Sequence, residues 1–157
     1  MDPEIQKILM HMKPVNKQRI DYTKIDQYIR RTIRILNQLP YLATIGCCAG
    51  HNGTQYFLGA ETHNQPFFSD MYIAFEVYDE AEYLKLVSQI QKALTGLNTF
   101  FHEDKLYPQP YVWRWIFCVG RTTRGEVKKG LAEVRAKIIE VVKSGRPINN
   151  KRSALYE

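Results

Sequence analysis

Two spacings of apolar residues alternate along this chain. Ile25, Tyr28, Ile29, Ile33 and Leu36 recur at helical intervals. They predict a first helix from about Lys24 to Gln38, with Thr23 as its cap and Asp26 three residues on. Arg30, Arg31 and Arg34 fall on its other faces, and Pro40 stops it. Tyr41 to Gly46 reads as a short strand, followed by a long polar loop from about Ala49 to Phe68. From Asp70 to Tyr78 the period changes to two: Met71, Ile73, Phe75 and Val77 alternate with Tyr72, Ala74, Glu76 and Tyr78. A second helix opens at Asp79-x-x-Glu82 and runs to about Thr95, with Leu84, Val87, Ile90 and Leu94 as its core stripe and Gly96 at its end.

Strands are predicted over about Leu97–His102 and Tyr111–Gly120, joined by a turn at Tyr107-Pro108-Gln109-Pro110. A third helix opens at Thr123-x-x-Glu126, carries Val127, Leu131, Val134, Ile138 and Val141 inward, and ends at Gly145-Arg146-Pro147. Residues 1–12 suggest a further short helix, broken by Lys13-Pro14. The order is an N-terminal helix and then β-β-α-β-β-α. This predicts an α+β fold, ferredoxin-like or a permuted variant, with helices mainly on one side of the sheet. One domain is expected over 1–157, with 1–20 an N-terminal extension and 146–157 a polar tail.

Composition narrows the class. A chain that is 45% hydrophobic and 24% charged is globular. No apolar run approaches a membrane span, and the N-terminus lacks a signal pattern, so no membrane contact and a cytoplasmic location are expected. Cys47, Cys48 and Cys118 make a poor disulfide framework and point to reduced thiols. Charge is uneven: residues 1–40 sum to +4, residues 41–120 to −4 and residues 121–157 to +6. If the terminal helices lie together they form a positive face for a polyanion, with Arg30, Arg31, Arg34, Arg121, Arg124, Lys128 and Lys129 as candidate nucleic-acid contacts.

The densest chemistry follows the first strand, at Cys47-Cys48-Ala49-Gly50-His51-Asn52-Gly53-Thr54. Small residues let backbone approach a ligand, and successive N–H groups in such a turn form an anion nest. Cys48 and His51, three apart, are candidate catalytic groups, since a thiol beside an imidazole can be activated. Thr44, Gly46, Cys47, Gly50, Asn52, Gly53 and Thr54 are candidate cofactor contacts. A tight turn with core thiols explains the same residues without function. Cys47, Cys48, His51 and His63, with His102 farther off, match no common zinc spacing, and no metal is expected. A nuclease would draw on Glu61, Asp70, Glu76, Asp79, Glu80 and Glu82, with Glu76 the candidate catalytic carboxylate. Acids at a helix start account for three of these. Tyr72, Tyr78, Trp113 and Trp115 lie on strands, where an exposed pair can stack on a base, but core packing is expected for Trp113 or Trp115.

The helix, then Leu36-Asn37, then a strand ending in Thr44-x-x-Cys47-Cys48-Ala49-Gly50-His51 resembles the wybutosine-synthesising tRNA methyltransferase family. Its third-step enzyme carries Ser-Ser-Cys-Ser-Gly-Arg after a similar helix. Tyr72–Glu76 is similar to that family's next strand, Ala81–Gly96 to its next helix and Asn150-Lys151-Arg152 to its ending. By position, Gly46 and Cys47 stand where the two serines are, Cys48 matches the cysteine, Ala49 replaces a serine, Gly50 matches the glycine and His51 replaces the arginine. The resemblance implies S-adenosylmethionine as methyl donor and a modified guanosine of phenylalanine tRNA as acceptor. His51 would then orient or deprotonate the acceptor nitrogen. The expectation is therefore an S-adenosylmethionine-dependent tRNA-modification methyltransferase-like protein. The alternatives are a non-catalytic nucleotide or nucleic-acid binding module and a metal-dependent nuclease.

Overall fold

The computed structural model describes residues 2–4, 7, 16–49, 67–105, 110–122 and 124–145. Helix α1 (Gln27–Leu36) precedes strand β1 (Leu42–Cys48) and strand β2 (Phe67–Val77). Helix α2 (Glu80–Leu94), strands β3 (Thr99–Lys105) and β4 (Val112–Thr122) and helix α3 (Arg124–Ser144) follow. This is the predicted α+β order. The helix expected in residues 1–12, the loop to residue 66, the turn at 107–110, Thr123 and the polar tail lie largely or wholly outside the described residues.

The strands form one antiparallel sheet in the order β1-β2-β4-β3. β4 thus lies between β2 and β3, the two strands that α2 connects, as in the split arrangement of ferredoxin-like sheets. All three helices cover one face, with α3 between α1 and α2 and packed on β2 and β4. α3 comes so near β4 that a Cβ at Gly130 would stand 2.7 Å from Val119 Cγ1, so a bare glycine sets this approach.

Cross-strand register assigns the faces. Leu42, Met71, Ile73, Phe75, Val77, Trp113, Trp115, Phe117 and Val119 point under the helices, where all are buried. Trp115 is the centre: its ring meets Phe75 at 4.8 Å and Phe101 at 5.9 Å, both edge-on. Both tryptophans are core residues, as strand aromatics usually are. The indole N–H of Trp115 donates to the Tyr83 hydroxyl at 3.0 Å, and that hydroxyl donates to Glu103. A buried polar network is thereby satisfied.

Three local predictions are corrected. α1 starts at Gln27, not Lys24, because Asp26 caps it by accepting from the Tyr28 N–H at 2.9 Å. Thr23 belongs to a separate 3-10 turn closed by Asp21. Tyr28, expected inward, is 47% exposed: it sits in the first turn, where α3 presents Lys128 rather than an apolar side chain. Leu84, expected in the core, is also exposed. Its neighbour Tyr83 takes the inward position because its hydroxyl finds Glu103 and Trp115 there.

Candidate functional site

The chemistry-bearing end of β1 is shaped by an irregularity. Thr44 pairs with Phe75, yet Gly46 pairs with Ala74, so Ile45 is an extra residue in the ladder and is half exposed. Strict alternation would place Thr44, Gly46 and Cys48 on one face. The bulge reverses this beyond Ile45: Thr44 and Cys47 face the helices, while Gly46 and Cys48 face the other way.

That reversal separates the two adjacent thiols. Cys47 packs against the core, and burial, with a smaller contribution from Cys48, pushes its pKa up to about 11. A protonated thiol in apolar packing is a poor nucleophile and a poor ligand donor. Cys48 lies on the helix-free face, across from Tyr72 of β2. Thr44 is buried, and the fold uses its polar groups. Its N–H donates to Asn37 Oδ1 at 2.9 Å, and Asn37 Nδ2 donates to its hydroxyl at 2.7 Å and to the Tyr22 hydroxyl at 3.2 Å. Asn37, just past α1, thereby ties that helix to β1. The Lys17 ammonium closes the same corner by donating to the carbonyls of Asn37 at 3.0 Å and Leu39 at 2.5 Å, and burial lowers its pKa. Cations suit this end of a helix. Thr44 and Cys47, read from sequence as cofactor contacts, are thus engaged by the core. Gly46 has open space where a Cβ would stand. Gly50, His51, Asn52, Gly53, Thr54 and His63 lie outside the described residues.

The structure does not bring Glu76 to Cys48. Both face away from the helices, but Glu76 is level with Ala43 while Cys48 is level with Tyr72. Four residues of strand separate the two levels, about 13 Å. Glu76 accepts from the Tyr78 hydroxyl at 2.7 Å. Among the described residues, no group of three His, Cys, Asp or Glu side chains is placed to hold a metal ion.

A polar cluster on the same face went unnoticed in the sequence. His102 Nε2 lies 2.5 Å from Asp104 Oδ1, and Arg114 donates to Asp104 Oδ2 at 2.8 Å. The Arg114 hydrogen bond, reinforced by His102, holds the Asp104 carboxyl below its ordinary pKa. The available signal was parity: His102 and Asp104 alternate on β3, and β3 is level with β4 through Asp104 and Arg114.

Four of the seven candidate nucleic-acid residues, Arg31, Arg34, Lys128 and Lys129, lie on the outer side of the helical layer. α1 and α3 pack side by side. α1 holds three arginines and no acid, and α3 holds six basic and three acidic residues, so each is +3. α2 balances two of each. Strands β1–β4 hold three basic and four acidic residues. Arg31, Arg34, Lys128 and Lys129 are exposed, and none joins an ion pair among the described residues. The Lys128 ammonium stands 5.7 Å over the Tyr28 ring, and the Arg34 guanidinium 4.9 Å over Tyr22. Arg30 turns inward and donates to the carbonyl of Ile25 at 3.0 Å, which bends it back along its own chain. Arg121 is the next-to-last residue of β4 and Arg124 the first of α3, which places their backbones at the N-terminal end of α3. Sequence reading missed Arg135, half-buried on α3 within the field of Asp26 and Tyr28.

None of the described helices is long and apolar enough to cross a membrane. No protein-family model, characterised protein or solved structure matches this chain.

Proposed function

We propose that this chain is a nucleic-acid binding module whose contact surface is the outer face of α1 and α3, with RNA as its ligand. The observation that carries this reading is the pairing of two +3 helices, with exposed cations that join no ion pair among the described residues, in a domain whose third helix is neutral and whose strands are slightly acidic. Such a face holds phosphates through counterion release, so affinity falls steeply with salt. Fluorescence anisotropy with a labelled RNA oligonucleotide over a salt series tests it. The combined variant Arg31→Ala, Arg34→Ala, Lys128→Ala, Lys129→Ala should weaken binding and flatten the logarithmic salt slope by about 0.7 for each phosphate no longer neutralised. No RNA binding by the unaltered chain at low salt rejects the reading.

A second reading places S-adenosylmethionine at the end of β1, as the wybutosine-family resemblance implies. What favours it is that Cys48 faces away from the helices beside Tyr72, with Gly46 and Ala74 adding little bulk along the neighbouring level. The cofactor would supply the transferable methyl group. Gly46 and Ala74 would admit it close to the sheet, and Tyr72 would flank it. Isothermal titration with S-adenosylmethionine, with and without tRNA, decides this: absence of heat in both removes the cofactor and leaves the binding module.

A further inference from the structure

The basic face is not made of cations alone. Tyr28, Arg31 and Arg34 follow one another three residues apart on α1, which places them on one ridge of the helix. All three are exposed. Across from the first of them, α3 brings the Lys128 ammonium over the Tyr28 ring, and Arg135 lies close enough for the Tyr28 hydroxyl to influence it. An aromatic ring at nearly half exposure, set among cations and outside the core cluster, contributes little to burial.

We infer that the α1–α3 face takes single-stranded rather than duplex nucleic acid, with an unpaired base stacked on Tyr28 and the adjoining phosphates held by Arg31 and Lys128; this rests on the nucleic-acid reading above. Phosphate contacts alone accept either form. An exposed ring is different, because it gains only from a base whose flat face is not already covered by its neighbours in a duplex. Lys128 stands over a face of the ring, so a base stacking there displaces this flexible ammonium, which then meets the adjoining phosphate. Arg34 stands likewise over Tyr22, but that ring lies in the 3-10 turn before α1 and packs against the core.

The test uses the full chain with a labelled single-stranded RNA and a duplex of the same length, measured by anisotropy for the unaltered protein and for Tyr28→Ala, Tyr28→Phe and Lys128→Ala. Base stacking on an aromatic side chain is worth enough that Tyr28→Ala should lose roughly tenfold in single-strand affinity. The salt slope and the duplex affinity should stay unchanged. Tyr28→Phe should retain most of the affinity, and Lys128→Ala should lower the salt slope. Circular dichroism melting confirms that each variant is folded, as expected for an exposed position. Equal or tighter binding of the duplex, an unaffected Tyr28→Ala, or a Tyr28→Phe as weak as Tyr28→Ala each overturns the inference. If both charge and ring variants leave binding unchanged, or nothing binds, the proposed nucleic-acid face fails with it. If only the ring variants have no effect, the face stands and the stacked base does not.

Discussion

The two faces of the sheet carry different kinds of residue. Under the helices the strands place Phe75, Trp115, Phe117, Ile73 and Met71, all fully buried, and even the polar groups there are bonded to one another. On the other face the same strands place Cys48, Tyr72, Glu76, Arg114, Ile116, His102 and Asp104, none of them fully buried. The first face is filled by large apolar side chains, whereas the second mixes the buried, smaller Ala43, Ala74 and Val112 with titratable and hydrogen-bonding groups. A strand cannot serve both demands at one position, and the period of two divides them. The basic surface belongs to neither face. It lies on the far side of the helical layer, so the candidate polyanion contacts and Cys48 are on opposite sides of the molecule.

The sharpest test of the division compares neighbours on β4. Trp115→Ala removes the largest buried side chain and its bond to Tyr83. It should cost about 3–5 kcal/mol in urea denaturation. Ile116→Ala, one residue on and pointing the other way, should cost about 1 kcal/mol because its side chain is already partly in water. Equal losses would mean that the helix-free face is packed as tightly as the core.

Most of that division was legible in the sequence. The alternation over Met71–Tyr78 gives both faces of β2, and Asp79-x-x-Glu82 gives the start of α2, where Asp79 does accept from the Glu82 N–H. Gly96, with φ of 91°, ends α2 where expected. What alternation misses is any event that changes the count. The extra residue at Ile45 flips everything after it, so Cys47 and Cys48 exchange faces relative to a regular strand. Gly46 was the available signal, since a glycine inside a strand often marks a bulge, but it does not say which residue is the extra one. Tyr83 and Leu84 pose a similar problem: each lies near Val87 on a helix, and only the distant Glu103 and Trp115 decide which turns inward. Capping was ambiguous at Thr23 and Asp26, since both residue types cap well. Asn37 stood out only through a family resemblance, whereas its role in the structure is to clasp α1 to β1.

That clasp gives the next contrast. Asn37→Ala leaves the buried N–H and hydroxyl of Thr44 without their partner. It should cost about 1–3 kcal/mol. Thr44→Val removes only the hydroxyl and keeps its backbone N–H bonded to Asn37. The loss should be about 1 kcal/mol, because Asn37 Nδ2 retains the Tyr22 hydroxyl. Thermal melting of both variants checks the order. Thr44→Val as damaging as Asn37→Ala would shift the weight of the corner from the backbone bond to the hydroxyl.

The smallest effect reads the bulge directly through the two adjacent thiols. Cys47, raised to about 11, holds its proton throughout the neutral range. At about pH 8 only roughly one thiol in a thousand with such a pKa is ionised, and the thiolate is the reacting form. Iodoacetamide should therefore modify Cys48 before Cys47, resolved by mass mapping of the peptide that contains both. In Cys48→Ser the remaining Cys47 reaction should accelerate as pH rises toward 11, because the thiolate fraction grows with each step below its pKa. Removing Ile45 should abolish the bulge and restore strict alternation, turning the Cys47 position outward and the Cys48 position toward the helices. The order of alkylation should then reverse. Unchanged order in a folded deletion variant would mean that something other than the bulge sets which thiol is presented.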